Sequence, residues 1–188
     1  MCMDVSKLLR TWRQKKPRLL CPVMKQKKST CYAIAYVRQL EFHLKEHLSI
    51  QDFLNQILKS YLLEDGSLNV DSSFVLLPGL RFKAKEITQH KLYFEGCLES
   101  QDEYDKFHAI LLQKLKKGVL SEIYFPTKNE MAGNTERYGH VMVCTGHNYD
   151  RLNRLYYELQ EVAGVKVCDQ GFVRVYADLV YQFIEMVV

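Results

Sequence analysis

The chain has 188 residues, 47% of them hydrophobic and 12% aromatic, enough to bury one full core. That composition excludes a disordered polymer, and no apolar run approaches the ~20 residues of a membrane-spanning helix. The net charge of +4 hides an asymmetry: residues 1–28 carry nine Lys or Arg against Asp4 alone, a local +8, and the remainder stands at −4.

Six cysteines, at positions 2, 21, 31, 97, 144 and 168, show neither a C-x-x-C pair nor the spacing of a zinc site. Reduced thiols are expected, with no metal and no cofactor. Met1 to Lys7 lacks the apolar stretch of a signal peptide, so a cytoplasmic location is expected and no membrane partner. The basic N-terminal segment suits an acidic partner. Nucleic acid is not the expectation, because Trp12 is the segment's one aromatic residue and no nucleic-acid module is present.

Residues 1–25 read as an irregular segment with Trp12 buried and with Pro17 and Pro22 keeping the backbone extended. A lysine-rich loop, Gln26-Lys27-Lys28-Ser29-Thr30, then leads into a helix predicted over Thr30 to Leu48. Its apolar residues Ala33, Val37, Leu40 and Leu44 recur at spacings of four, three and four. Cys31 falls in or just before the first turn of that helix, where unpaired N–H groups and the helix dipole favour an anion. Two readings stand at this point: a thiol that ionises easily, or a small apolar residue filling the core.

Ser49, with Asp52 three residues on, predicts the N-cap of a second helix whose Phe53, Leu54, Ile57, Leu58 and Tyr61 share one face. Pro78-Gly79 marks a turn, followed by a strand-like run over Arg81 to Ile87 and a β-like stretch from His90 to Cys97. Ser100 and Glu103 cap a further helix bearing Tyr104, Phe107, Leu111 and Leu115, which Gly118 ends. Four strands are predicted after it: Val119 to Phe125, Tyr138 to Thr145, Leu155 to Val162 and Gly171 to Leu179. Helices first and strands afterwards give an α+β layout, with a helical lobe leading into a β-rich one.

Several stretches in this order resemble the papain-like cysteine peptidases, the papain family proper. Trp12-Arg13-Gln14-Lys15 and Pro22-Val23-Met24-Lys25-Gln26 are similar to the start of the family's mature chain. Cys31-Tyr32-Ala33-Ile34-Ala35 resembles the opening of its central helix, and Leu48-Ser49-Ile50-Gln51-Asp52-Phe53-Leu54 the next helix. Gly139-His140-Val141-Met142-Val143 resembles its histidine strand, and Gln170-Gly171-Phe172-Val173-Arg174-Val175 a strand near its C-terminus. The resemblance implies a single domain over 1–188, with a helical lobe at about 20–90 and a β-barrel-like lobe at about 91–188 joined by the N-terminal segment, a cleft lying between them.

It also implies a chemistry. Cys31 corresponds to the nucleophile, His140 to its base, and Gln26 to an oxyanion donor working with the Cys31 N–H. The orienting residue of the histidine falls at Glu161, a carboxylate where the family has asparagine, with Gln160 the neighbour if the register slips by one. A carboxylate can accept the imidazole N–H and favour its charged form. The family's shielding tryptophan falls at Ala163, and the loop from Gln26 to Cys31 is one residue shorter than the family's. Two functions follow as expectations: a peptidase acting on peptides or proteins, and an inactive relative, a pseudopeptidase, that binds a peptide or protein.

Overall fold

The computed structural model describes residues 13, 20, 30–57, 64, 82–92, 100–116, 121–128, 137–160, 169–180 and 182–188, with 116, 121–128 and 137–139 as backbone only. Trp12, Pro17, Pro22, Gln26, Leu58, Tyr61, Pro78-Gly79, Gly118, Glu161 and Ala163 lie outside these residues.

Helix α1 spans Cys31–Leu44, and the carbonyl of its N-cap, Thr30, accepts the N–H groups of Ala33 and Ile34 at 3.1 Å each. Every residue from Tyr32 to Glu41 is buried, so the expected stripe widens to almost the whole circumference. The polar members of that run are paired: Gln39 Nε2 donates to the Ile184 carbonyl at 3.1 Å, and Arg38 bonds Glu41.

The helix stops at Leu44 and not at Leu48 as predicted. The reason is the buried Glu41 carboxylate. Its Oε1 accepts the Leu48 N–H at 2.9 Å and lies 2.6 Å from His47 Nδ1, so the chain folds back around it. Lys45 makes the reversal in the left-handed region, φ 56°, and sends its N–H to the Glu41 carbonyl at 2.8 Å.

Helix α2 spans Ile50–Asn55, and Ser49 caps it as expected, its side chain accepting the Asp52 N–H at 3.2 Å. It ends at Asn55, short of Ile57, which is buried all the same, and Leu58 and Tyr61 of the expected face lie outside the described residues. Phe53 anchors α2 by stacking on Tyr36 of α1, ring centroids 4.6 Å apart.

Among the described residues six strands form one antiparallel sheet: β1 (Glu86–Lys91), β2 (Ser121–Lys128), β3 (Arg137–Tyr149), β4 (Leu155–Gln160), β5 (Phe172–Tyr176) and β6 (Gln182–Val187), in the order β1-β6-β2-β3-β4-β5. Two sequence expectations change here. Where the β-like runs at Arg81–Ile87 and His90–Cys97 are described, Glu86–Lys91 forms the continuous strand β1, its register with β6 running from Glu86↔Val187 to Lys91↔Gln182, while Arg81 and residues 93–97 lie outside the described residues. The last expected strand ends early, at Tyr176; a 3-10 turn over Ala177–Leu179 then leads into β6, a strand beyond those expected.

Helix α3 (Gln101–Lys116) lies between β1 and β2 in the chain, with the Glu103 N–H donated to Ser100 Oγ at 3.4 Å as the cap predicts. The sheet is covered on both faces. Val141, Val143, Ile184 and Met186 pack with α1 and α2, while Met142, Cys144, Tyr157, Leu159 and Phe183 pack with Phe107, Leu111 and Leu115 of α3. The class is α+β, as expected. Among the described residues no helix is long and apolar enough to cross a membrane.

Beneath α3, His108 is buried with its Nδ1 2.7 Å from the Tyr157 hydroxyl, while its Nε2 has no partner. Burial lowers its pKa from 6.5 to about 4, the Asp105 charge opposing only in part. The folded chain therefore binds fewer protons than the unfolded chain between these values, and stability is lost as pH falls below about 6.5. A shift of that size corresponds to about 3 kcal/mol. Urea unfolding midpoints measured from pH 7 down to pH 4 should fall steeply in the wild-type chain, and His108→Phe should flatten the profile.

Candidate active site

The site begins with a local fact, that Cys31 is the first residue of α1. Its sulfur lies where the helix leaves N–H groups unpaired, and the Tyr32 N–H donates to it. The second contribution is tertiary. Strand β3 crosses beneath the start of α1, and there the Val141 N–H and the His140 side chain both hydrogen-bond the same sulfur.

Cys31 and His140 are each half-buried. Burial pushes the Cys31 thiol up, since a thiolate loses solvation. The hydrogen bond from His140, the imidazolium charge and the two backbone N–H groups outweigh that effect, and the thiol is held below its ordinary value. Cys144, three residues beyond Val141 on the same strand, shows the opposite case. It is wholly buried, its Sγ donates to the Gly146 carbonyl at 3.7 Å, and burial drives its pKa far upward.

The structure thus brings together two of the sequence-predicted site residues, Cys31 and His140. Gln26 and Glu161 lie outside the described residues. Gln160, the alternative orienting residue, is buried at the end of β4, where it pairs with Val143 and with Phe172. That row lies three residues along β3 from His140, about 10 Å at the rise of a strand. The Val141 and Tyr32 N–H donors were missed by sequence reasoning. Main-chain donors carry no side-chain signature, although a residue at a helix start is always flanked by spare N–H groups. Among the described residues no cluster of His, Cys, Asp or Glu could hold a metal ion.

No family model matches this sequence, and no curated protein is significantly similar to it. Solved structures do match. A mite-allergen structure, from work on antibody cross-reactivity between Blo t 1 and Der p 1, is similar with a TM-score of 0.61 at 14% identity, over 95% of this chain and 70% of that one. The bromelain protease from Ananas comosus, solved with the E64 inhibitor, aligns with a TM-score of 0.60 at 13% identity, over 95% of this chain and 97% of that one. The fold is that of the papain-like cysteine peptidases. SERA5E from Plasmodium falciparum shares it, with a TM-score of 0.62 at 10% identity over 93% of both chains. At such identities the likeness speaks for the papain-like fold alone; the chemistry must be argued from Cys31, His140 and their surroundings.

The depressed Cys31 thiol gives a direct test, because the thiolate is the form that alkylates. At pH 6 to 7 limiting iodoacetamide should modify Cys31 well before Cys144, as read by peptide mass mapping. His140→Ala should shift the pH midpoint of Cys31 labelling upward and slow its labelling at pH 6 by about tenfold.

Proposed function

We propose that the chain is a papain-like cysteine-type peptidase that hydrolyses peptide bonds in peptide or protein substrates. The observation that carries this reading is the hydrogen bond between His140 and the Cys31 sulfur at the N-terminus of α1, within a papain-like fold. A cleft between the helical and β-rich parts, with both side chains at its floor, is the arrangement that goes with it.

In this reading the Cys31 thiolate attacks the carbonyl carbon of the scissile bond, and a C–S bond forms while charge gathers on the carbonyl oxygen. The Cys31 N–H and the Gln26 side-chain amide stabilise that oxygen. His140 gives its proton to the leaving amine nitrogen, the C–N bond breaks, and a thioester remains on Cys31. A water then loses a proton to His140 and attacks the thioester. The C–S bond breaks, and the acid product leaves. Glu161 is assigned the orienting role, accepting the imidazole N–H and favouring the charged ring.

The substitution at Glu161 and the shortened loop after Gln26 favour the second reading, an inactive relative that binds peptides without cleaving them. One experiment separates the two. Purified chain is incubated with an unfolded protein substrate and, separately, with a peptidyl epoxide. The peptidase reading requires new peptide termini, a covalent adduct on Cys31, and a loss of at least about a thousandfold in kcat/KM for Cys31→Ala. Saturable peptide binding with no new termini would establish the pseudopeptidase.

A further inference from the structure

Strand β3, which carries His140, is not regular. Its pairing with β4 runs Val143↔Gln160 and Cys144↔Leu159, then jumps to Gly146↔Glu158, so Thr145 is an extra residue in a bulge. A bulge turns the strand and raises its local twist, which re-aims everything beyond it. Beyond this one, five residues toward the strand's start, lies His140.

The bulge is tied down from the far side. Thr145 is fully buried, and its hydroxyl donates to the Glu158 carbonyl at 3.2 Å. The Glu158 carboxylate, also wholly buried, is met by a guanidinium from the other end of the chain: Arg13 Nη2 lies 3.2 Å from Glu158 Oε2. The same guanidinium grips the turn that leads into β5. It donates to the Asp169 carbonyl at 3.1 Å and to Asp169 Oδ2 at 2.7 Å, and it lies 4.7 Å from the centre of the Phe172 ring.

Arg13 therefore holds β4 between the bulge on one side and β5 on the other. Arg174, the register partner of Glu158 on β5, points its guanidinium toward Asp169 instead, at 3.6 Å. Glu158 is held by Arg13 across a separation of 145 residues.

We infer that Arg13 is a positioning residue for the Cys31–His140 pair, acting through Glu158 and the Thr145 bulge to set the direction in which β3 delivers His140. This inference rests on the peptidase reading, since it gives that site a determinant in the N-terminal segment. It does not require Arg13 to touch substrate. Loosening the guanidinium lets β4 shift against the bulge, and the imidazole moves off the sulfur while the sheet remains paired.

The test uses the full chain and needs no substrate. The rate of Cys31 alkylation by iodoacetamide is followed from pH 4 to pH 9 for wild type, Arg13→Gln, Arg13→Lys and Thr145→Val, with urea midpoints measured in parallel. Thr145→Val exchanges only the hydroxyl for a methyl group of similar size, and serves if Arg13→Gln fails to fold. Arg13→Gln and Thr145→Val should each move the Cys31 midpoint upward and cut the rate at pH 6 by fivefold or more, and Arg13→Lys should restore part of it. A purely structural role would lower the urea midpoint yet leave the alkylation midpoint of the folded variants at the wild-type value, and that result overturns the inference alone. An ordinary thiol titration in the wild-type chain overturns the peptidase reading, and the positioning role with it.

Discussion

A helix that is buried from its second residue to its eleventh cannot leave its polar start unattended, and the placement of Cys31 at that start shapes the rest of the molecule. The sulfur is half-buried, so charge on it is unfavourable unless donors replace lost water. One donor comes with the helix itself, from the Tyr32 N–H. The others require β3, more than a hundred residues away in the chain, to pass beneath the helix with His140 and Val141 in register. Register in β3 follows from its two neighbours, β2 and β4, and from the packing of Val141 and Val143 under α1. The short stretch of strand that reaches the thiol is thus held in place by pairing and packing well away from it.

What was legible in the sequence follows from how far each interaction reaches. The starts of α2 and α3 were written locally, in Ser49 with Asp52 and Ser100 with Glu103, and both serve as caps. The helix bearing Cys31 was legible from its apolar spacing, and Cys31 and His140 from the stretches around them. Its end was not, because Lys45 lacks the glycine that usually marks a left-handed cap and turns only because the buried Glu41 takes the Leu48 N–H. Strand β6 was not legible, because a three-residue 3-10 turn that no Gly or Pro announces separates it from β5. Without β6 as a partner, nothing local could say that Glu86–Lys91 pairs as one continuous strand. The bulge at Thr145 had one local sign, Gly146 within a strand, but its consequence depends on Glu158 and so on β4.

The sheet's two faces solve the burial of polar groups in different ways. On the α3 side the core is mostly apolar and admits the neutral pair of His108 and Tyr157, which the interior holds without charge. On the α1 side the interior holds charge, in Glu41 beside Arg38 and in Glu158 beside Arg13. A buried ion pair of this kind is a weak source of net stability, because desolvation of both partners offsets most of their attraction. Removing one partner is another matter, since it leaves a bare charge in a dry site.

That asymmetry bears on how the N-terminal segment finds its place. An apolar contact tolerates sliding, because one methyl group can replace another at little cost. A buried carboxylate does not, because only a donor at hydrogen-bond distance meets its requirement. Glu158 sits on β4 with Leu159 and Tyr157 turned to the opposite face, and its register neighbour Arg174 is directed to Asp169. The planar guanidinium of Arg13 fits the remaining geometry: it spans Glu158 and Asp169 together and lies near the Phe172 ring, contacts that a point-like ammonium could not make at once. The pair therefore selects one placement of residue 13 out of many that burial alone would allow. Because Glu158 also backs the bulge in the strand that carries His140, that choice is carried through Thr145 into the geometry around the thiol.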